Sequence, residues 1–463
     1  MSNTTYRVFV EKLGASNPEQ FVGDRGDVFY DPEGRSLRLS DGITPGGIVL
    51  GGGSNKWIRP ADWLPMPTMT KTEEKFVGLF AVYDTPENFI ALYFEGNYTV
   101  NWGDGNVEDF NSGDKAQHSY AWSNIDAGTL TTEGYRQVLV TVTPQSGQQL
   151  SIMDLSVRHD DIGFSSNPTN SPWLEIKVSM PNAASGDSLE FQGGRNPWGY
   201  LSSIQSIHIV NSGGMTDFSY RLASIYSLRS VSIDNSPNAE TFEGLFDTCE
   251  SLTNIVLSDT SSVNNMSYMF QYCASLNSVP LFDTSSVTTM EGMFDNCYAL
   301  NSVPLFDTSS VLTMDYMFHF CTSLNSVPLF DTSSVTTMQS MFDNCYALNS
   351  VPLFDTSSVT TMEAMFYYCV ALNSVPLFDT SSVSNMSYIF DTCTSLQIGA
   401  MNGTSVNIDY SNCLLGRDAI VDIFNGLATV VSATINISNN YGTAALSPAD
   451  LQIAYNKNWT VAT

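Results

Sequence analysis

Basic residues are what this sequence has least of: 18 Lys and Arg face 47 Asp and Glu over 463 residues, a net charge of −29. With no Lys/Arg cluster to neutralise phosphates, no nucleic-acid partner is expected. Charge of either sign is scarce, at 14% of residues against about 25% in ordinary globular chains. No uncharged apolar run approaches the roughly 18 residues that span a bilayer, so no membrane insertion is expected. Residues Met1 to Val8 lack a basic stretch leading into an apolar core, so export through an N-terminal signal peptide is not expected either. The four histidines, His118, His159, His208 and His319, are scattered, with no zinc-spaced pair. There is no nucleophile elbow and no phosphate-cradling glycine loop. The single acid–base-looking cluster, His159-Asp160-Asp161, reads as a solvated loop. The chain is therefore read as a non-enzyme that needs no cofactor and no metal. What remains is 43% hydrophobic, enough for a sizeable core and, at this length, about three domains.

Cysteine is absent before Cys249 and then strictly periodic. Cys249, Cys273, Cys297, Cys321, Cys345, Cys369 and Cys393 are each 24 residues apart, with Cys413 outside the series. Leu228, Leu252, Leu276, Leu300, Leu324, Leu348, Leu372 and Leu396 share the period, and Ile204 extends it backwards. Such self-similarity marks a stacked repeat rather than a disulfide framework. Within one unit Leu276, Val279 and Leu281 form a short extended run. Val287, Met290, Met293, Phe294 and Cys297 then follow at helical spacing. Between the two, Asp283-Thr-Ser-Ser has turn and helix N-cap chemistry. One strand, a turn and a short helix per 24 residues predicts an α/β coil that closes a core only by stacking on its neighbours. Nine in-phase positions at strand spacings of about 4.8 Å predict a rod on the order of 40 Å long.

From Phe282 to Leu300 the residues follow F-D-T-S-x-V-x-x-M-x-x-M-F-x-x-C-x-x-L nearly letter for letter. This resembles the BspA-like leucine-rich repeat, over roughly residues 200–400. The resemblance implies a family of surface adhesins and binding proteins, hence binding and not catalysis.

Residues 21–50 read as a meander: Val28-Phe29-Tyr30, an Asp31–Gly34 turn, Leu37-Arg38-Leu39, then Asp41-Gly42 and Pro45-Gly46-Gly47. A segment this small cannot bury much alone and should lean on a partner or on copies of itself. Its G-D-x-F-Y-D-P…L-R-L-S-D-G-x-T-P-G-G phrase resembles a short module of structural proteins of tailed bacteriophages, cyanophages in particular. Residues 51–54 read as a glycine-rich hinge. Asn88–Phe94, Tyr98–Trp102 and Arg136–Val142 are strand-like, and Trp102-Gly-Asp-Gly105 is a hairpin signal. With His118-Ser-Tyr120 it resembles a PKD-type immunoglobulin-like domain, which implies a spacer or carbohydrate-proximal module. Pro168, Pro172, Trp173 and Trp198 are expected to cover the open end of the repeat stack. Residues 416–427, 433–438 and 447–459, a helix, a strand and a helix with a strand, are expected to cap the other.

The fold class expected is multidomain and mainly β: a small N-terminal meander, a PKD-type β-sandwich, and a leucine-rich-repeat α/β solenoid of 24-residue coils. Its divisions are a virion-attachment module and hinge at 1–55, the sandwich at 56–150, an N-terminal cap at 151–200, the solenoid at 201–400 and a C-terminal cap at 401–463. The cysteine column could form disulfides, since stacked coils bring Cα atoms near 5.5 Å. Seven in line cannot all pair, and buried free thiols fit better. Asp259, Asp283, Asp307, Asp331, Asp355 and Asp379 form a second column. It reads either as a calcium ladder or as carboxylates accepting from the Thr-Ser-Ser backbone; the second fits better, because Ca²⁺ wants six or more oxygens.

Positions between the invariant core residues vary freely. They carry Tyr268, Tyr272, Tyr316, His319, Phe320, Tyr367, Tyr368 and Tyr388, aromatics among acids. That composition suits a recognition surface and equally suits packing on the neighbouring coil. Elsewhere Asn277-Ser278 recurs five times, at a spacing that would suit a periodic glycan. Together these features predict a phage tail fibre or receptor-binding adhesin, localised in a virion assembled in the host cytoplasm. Its partners would be tail or baseplate proteins at residues 1–55 and a host surface glycan or protein at the solenoid. A homo-oligomer is expected, a trimer being one form. The alternative is a virion structural or decoration protein whose solenoid binds another virion protein.

Overall fold

A computed structural model describes residues 57–463 except 87, 156, 158, 161–171 and 192–202, together with three strands before residue 57. The chain divides into two units, Met1–Lys56 and Trp57–Thr463. In the first, β1 (Val28–Asp31), β2 (Ser36–Leu39) and β3 (Ile48–Val49) make an antiparallel sheet in that order. The turns expected between these strands, the hinge at 51–54, and Asp161, Pro168 and Trp198 lie outside the described residues.

The second unit is mainly β. Its first strands are β4 (Lys75–Val82), β5 (Phe89–Phe94), β6 (Tyr98–Asn101), β7 (Val107–Phe110), β8 (Lys115–Ser119) and β9 (Arg136–Pro144). Next come β10 (Ile152–Asp154), β11 (Trp173–Ser179), β12 (Ser188–Glu190), β13 (Ser206–Asn211), β14 (Ser230–Ile233) and β15 (Asn254–Leu257). One sheet has the order β12-β10-β5-β8, the other β15-β14-β13-β11-β4-β9-β6-β7. Alternating apolar residues such as Tyr98 and Val100, or Val138, Val140 and Val142, fill the shared core. Trp173 stands edge-on to Phe76 and Phe80 at 5.6 and 5.2 Å. Gly78 makes that approach possible, because a Cβ there would lie 2.1 Å from the indole.

Strands from residues 151–200 enter both sheets instead of forming a separate cover. In particular, β11 pairs antiparallel with β4 and parallel with β13. The first coil of the repeat thus has its backbone groups met by a continuing ladder, which removes an exposed sheet edge.

From β13 onward the chain coils with the 24-residue period, Ser206, Ser230 and Asn254 standing side by side in parallel register. Two expectations about the coil are corrected. Strands occupy the leading stretch only in β13, β14 and β15. The later coils carry Pro280, Pro304, Pro328, Pro352 and Pro376 there, and proline has no N–H to give a ladder. The expected short helix is also missing from each coil; three overlapping turns replace it. The N–H groups of Met293, Asp295 and Cys297 close turns on Met290, Gly292 and Phe294, while those of Met290, Gly292, Phe294 and Asn296 donate to Thr313, Asp315, Met317 and His319 of the next coil. A helix would spend each N–H beyond its first turn within itself and leave none of those for its neighbour.

The coil interiors stack like on like. Phe270, Phe294, Phe318, Phe342, Phe366 and Phe390 lie nearly parallel at 5.6–5.8 Å. A polar column runs beside them: buried Thr284 donates to the Asp307 carbonyl at 2.8 Å and Thr308 to Asp331 at 2.8 Å. All eight cysteines are free and buried. Each thiol of the periodic series donates to a carbonyl one coil back, as Cys321 does to Phe294 at 3.2 Å. At the far end β16 (Ile408–Asp409), β17 (Ala433–Asn436) and β18 (Trp459–Ala462) form a parallel sheet. They flank α1 (Arg417–Gly426) and α2 (Pro448–Tyr455), the latter held by a Ser447–Asp450 capping box.

Burial pushes the thiols of the column far up, and that of Cys413 up to about 12. Iodoacetamide at pH 8 is therefore expected to alkylate none of the eight thiols in the folded chain and all of them after unfolding, as mass spectrometry would count. Reductant alone should leave the melting temperature unchanged.

The aspartate column consists of turn carboxylates. Asp283 Oδ1 accepts from the Ser285 hydroxyl at 2.7 Å and N–H at 3.1 Å, and Asp259, Asp307, Asp331, Asp355 and Asp379 accept from the matching serines. The serine hydroxyl, then the N–H, holds the carboxyls of Asp283, Asp331, Asp355 and Asp379 below the ordinary aspartate value. A proton thus binds these groups less tightly in the folded chain than in the unfolded one. Their contribution is complete above about pH 4 and lost as pH falls through the lower folded values. Replacing these four aspartates by Asn should flatten the fall in melting temperature between about pH 4 and pH 2.

Candidate functional site

The variable residues sit where the turns leave the core. The third residue of the first and of the last turn in a coil is left-handed: φ is 56° at Tyr268 and Gly292, 57° at Tyr272 and Tyr316, 55° at Phe320, 56° at Tyr368 and 60° at Tyr388. For a bulky side chain this conformation costs about 1–3 kcal/mol. Along the first of these slots large and small residues alternate: Tyr220, Gly244, Tyr268, Gly292, Tyr316, Ser340. The reason is steric. A Cβ on Gly292 would fall 2.4 Å from the Tyr268 ring, and one on Gly244 2.1 Å from the Tyr220 ring. Each tyrosine thus lies over the small residue of the next coil and reaches its polar neighbour. Tyr268 donates to Glu291, and the Tyr316 hydroxyl accepts from Gln339 Nε2 at 2.7 Å.

Two groups of predicted site residues are brought together. In one, His319 stands edge-on to Tyr316 at 5.7 Å and to Phe320 at 4.6 Å. Its Nδ1 is 2.7 Å from Asp295 and its Nε2 3.6 Å from Asp343, so carboxylates from the coils on either side face it. In the other, Tyr367 is edge-on to Tyr368 at 4.7 Å and to Tyr388 at 6.4 Å. Tyr272, Tyr368 and Tyr388 are exposed, whereas Tyr268, Tyr316, His319, Phe320 and Tyr367 are half-buried. Tyr268 and Tyr272 lie outside both groups.

Beside Tyr388 the stack opens. A cavity of about 600 Å³ separates Met386, Tyr388 and Asp391 of one coil from β16 and β17, with Asn407, Asp409, Thr434 and Asn436 on its far wall. Asp409 accepts from Ser411 N–H at 2.7 Å and Asn436 Nδ2 at 3.0 Å, and Asn407 Oδ1 from Thr434 N–H at 2.8 Å.

A feature that sequence reasoning missed is a ridge of leucines. Leu281, Leu305, Leu329, Leu353 and Leu377 are 58–64% exposed, although Leu281 shares its extended run with the buried Leu276 and Val279. The signal was the alternation Leu-Phe-Asp-Thr: Phe282 and Thr284 point inward, which forces Leu281 and Asp283 outward. The repeated asparagines are at the surface too, as at Asn325 and Asn349, each accepting from the following serine hydroxyl at 3.0 Å. His159, by contrast, stacks on Phe89 at 4.8 Å, and Asp160 binds Lys115 and Gln117. In the sheet pair His118 Nε2 meets Asp104 at 2.8 Å and lies flat on Trp102, while Tyr120 donates to the Trp102 carbonyl at 2.8 Å. Both histidines thus brace strands.

The steric pairing across coils makes Gly292→Ala costly, by about 2–4 kcal/mol from backbone strain and ring displacement together. Adding Tyr268→Ala should recover part of that loss in a double-mutant cycle read by urea denaturation. Strict additivity would show that the ring does not rest on this glycine.

Residues 240–350 and 325–413 match the family described as Mycoplasma protein of unknown function, DUF285. No curated protein matches the chain. Among solved structures, the TLR13–ssRNA13 complex is similar over 62% of this chain at 17% identity and a TM-score of 0.25, and the chain spans 39% of that one. A leucine-rich-repeat protein of T. pallidum, TpLRR, is similar over 62% of this chain and 92% of its own, at 12% identity and a TM-score of 0.17. At these identities and TM-scores the likeness assigns neither a fold nor a role to this chain.

Proposed function

We propose that the chain is a receptor-binding adhesin of a virion, a phage tail fibre that meets the host through its repeats. In this reading residues 201–400 are a BspA-like leucine-rich-repeat solenoid and residues 56–150 a PKD-type immunoglobulin-like spacer. Residues 1–55 join tail or baseplate proteins, with the chain as a homo-oligomer, and the host supplies a surface glycan or protein. One observation carries the proposal. The inward residues repeat coil after coil, while the outward slots change freely and keep Tyr or Phe in a left-handed backbone that glycine would occupy without strain. Strain retained at a surface position is expected where the side chain has work beyond folding. The virion assignment rests on the resemblance of residues 21–50 alone.

A second reading, a virion structural protein bound to another virion protein, has one observation in its favour. Five exposed leucines in a row are the kind of apolar patch that a protein partner covers.

Host-cell adsorption of purified chain separates the possibilities. Replacing Tyr316, Phe320, Tyr367 and Tyr368 by Asn, a residue the left-handed slots already hold at Asn296 and Asn344, is expected to abolish adsorption. Truncating even one anchoring aromatic typically costs about 2 kcal/mol or more. Replacing Asn277, Asn301, Asn325, Asn349 and Asn373 by Ala should leave adsorption intact. The reverse pattern would move recognition to the asparagine face. Loss of adsorption only when Leu305, Leu329 and Leu353 become Gln would move it to the leucine ridge. No adsorption by the unaltered chain would favour the structural reading.

A further inference from the structure

Each coil is stitched to the next by alternate N–H groups. Met362, Ala364, Phe366 and Tyr368 donate to the carbonyls of Asn385, Ser387, Ile389 and Asp391. There the series stops. The corresponding N–H groups of Met386, Tyr388, Phe390 and Thr392 reach no backbone carbonyl among the described residues. The parallel bridges that run from Asp217 to Asn385 at the coil period end at the same place. The next coil stays attached farther along, where Tyr410 stacks on Phe390 at 5.0 Å and the Leu414 N–H donates to Leu396 at 2.8 Å. Between these attachments and the solvent lies the cavity of about 600 Å³.

We propose that this break in the stack is a binding site for a short neutral oligosaccharide. The volume lies within the range of about 300–1,000 Å³ typical of ligand sites. Its walls mix donors with acceptors. The N–H groups of Met386 and Tyr388 and the Nδ2 of Asn407 are donors without a partner among the described residues. Asp391, engaged on one oxygen by the Thr392 hydroxyl at 3.0 Å, and Asp409 are acceptors, and Thr434 adds a hydroxyl of either role. Sugar hydroxyls both donate and accept and so match such a mixture. Tyr388, 61% exposed at the rim, offers an aromatic face to the C–H side of a sugar ring. Two carboxylates in the wall and a net charge of −29 act against sulfated, sialylated or phosphorylated ligands. An extended peptide could take the free N–H groups. It could also pair with Asp391 and Asn407; the exposed Tyr388 ring, which the C–H face of a sugar covers, is what favours the sugar.

The site deepens the adhesin reading and rests on it only for the source of the sugar. The full chain is applied to an array of neutral and anionic glycans and, in parallel, of extended peptides, and the glycan retained best is titrated calorimetrically. Neutral glycans are expected to be retained. Tyr388→Asn and Asn407→Asp should each weaken binding roughly tenfold or more, and Leu130→Ser, on a distant loop, should not. Both replacements suit their backbone: Asn tolerates the left-handed position, and Asp keeps the acceptor used by Thr434. Circular dichroism verifies folding. Retention of no neutral glycan, retention indifferent to both variants, or retention of peptides in place of glycans overturns the site. Cell adsorption keeps the two ideas apart. If the unaltered chain and both variants adsorb alike, the groove fails while the adhesin stands. If glycan binding falls in the variants but no form adsorbs, the groove stands while the adhesin fails.

Discussion

The alternation of backbone donors between turn and neighbour governs the repeat. In successive coils one N–H closes a turn and the next reaches across to the adjacent coil, from Gly292 through Cys297 and at the same positions as far as Cys369. Left-handed residues recur four apart because only they bring the chain round sharply enough to keep this order. The side-chain columns depend on it in turn. Phenylalanines stack face to face, threonines hydrogen-bond along the stack, and thiols donate one coil back because identical coils sit in register. Buried polar atoms in such columns are tolerated because the register gives each a partner.

Much of this was legible in the sequence, and the errors have physical causes. The period, the inward residues and the turn aspartates could be read because burial and hydrogen bonding act on residue types directly. The helix was misread because apolar residues three and four apart suit successive turns as well as a helix. Periodicity reports which side chains face inward, not where their N–H groups donate. The proline in Val-Pro-Leu-Phe was the available warning against a strand, and Asn, Gly and Ser at the fourth-residue slots were the warning against a helix. Strands β10, β11 and β12 were missed because three to seven residues carry little periodic signal. Of the candidate site, Tyr367, Tyr368 and Tyr388 were identifiable as variable aromatics. Their partners across the cavity, Asn407 and Asp409, belong to no repeat, and their meeting depends on tertiary structure.

The surface divides by chemistry. The turn slots carry aromatics and acids, the Asp283 column carries hydroxyl-bonded carboxylates, and the Leu281 column is bare hydrocarbon. Each is repeated at the coil spacing, so a partner would meet a row and not a point. The exception is the break beside Tyr388, where the row ends in a cavity built from two different parts of the chain.

The over-and-under fit of tyrosine on glycine has a consequence for how such a chain can change length. Near-identical coding segments invite recombination that adds or removes coils whole, and most columns would accept either change, since every coil offers its neighbours the same faces. The slot of Tyr220, Gly244, Tyr268, Gly292 and Tyr316 would not. Losing a glycine coil there would set ring against ring and losing a tyrosine coil would set glycine against glycine, leaving a gap, whereas losing two restores ring on glycine. Growth and shrinkage in that part of the stack should therefore be inherited in even steps.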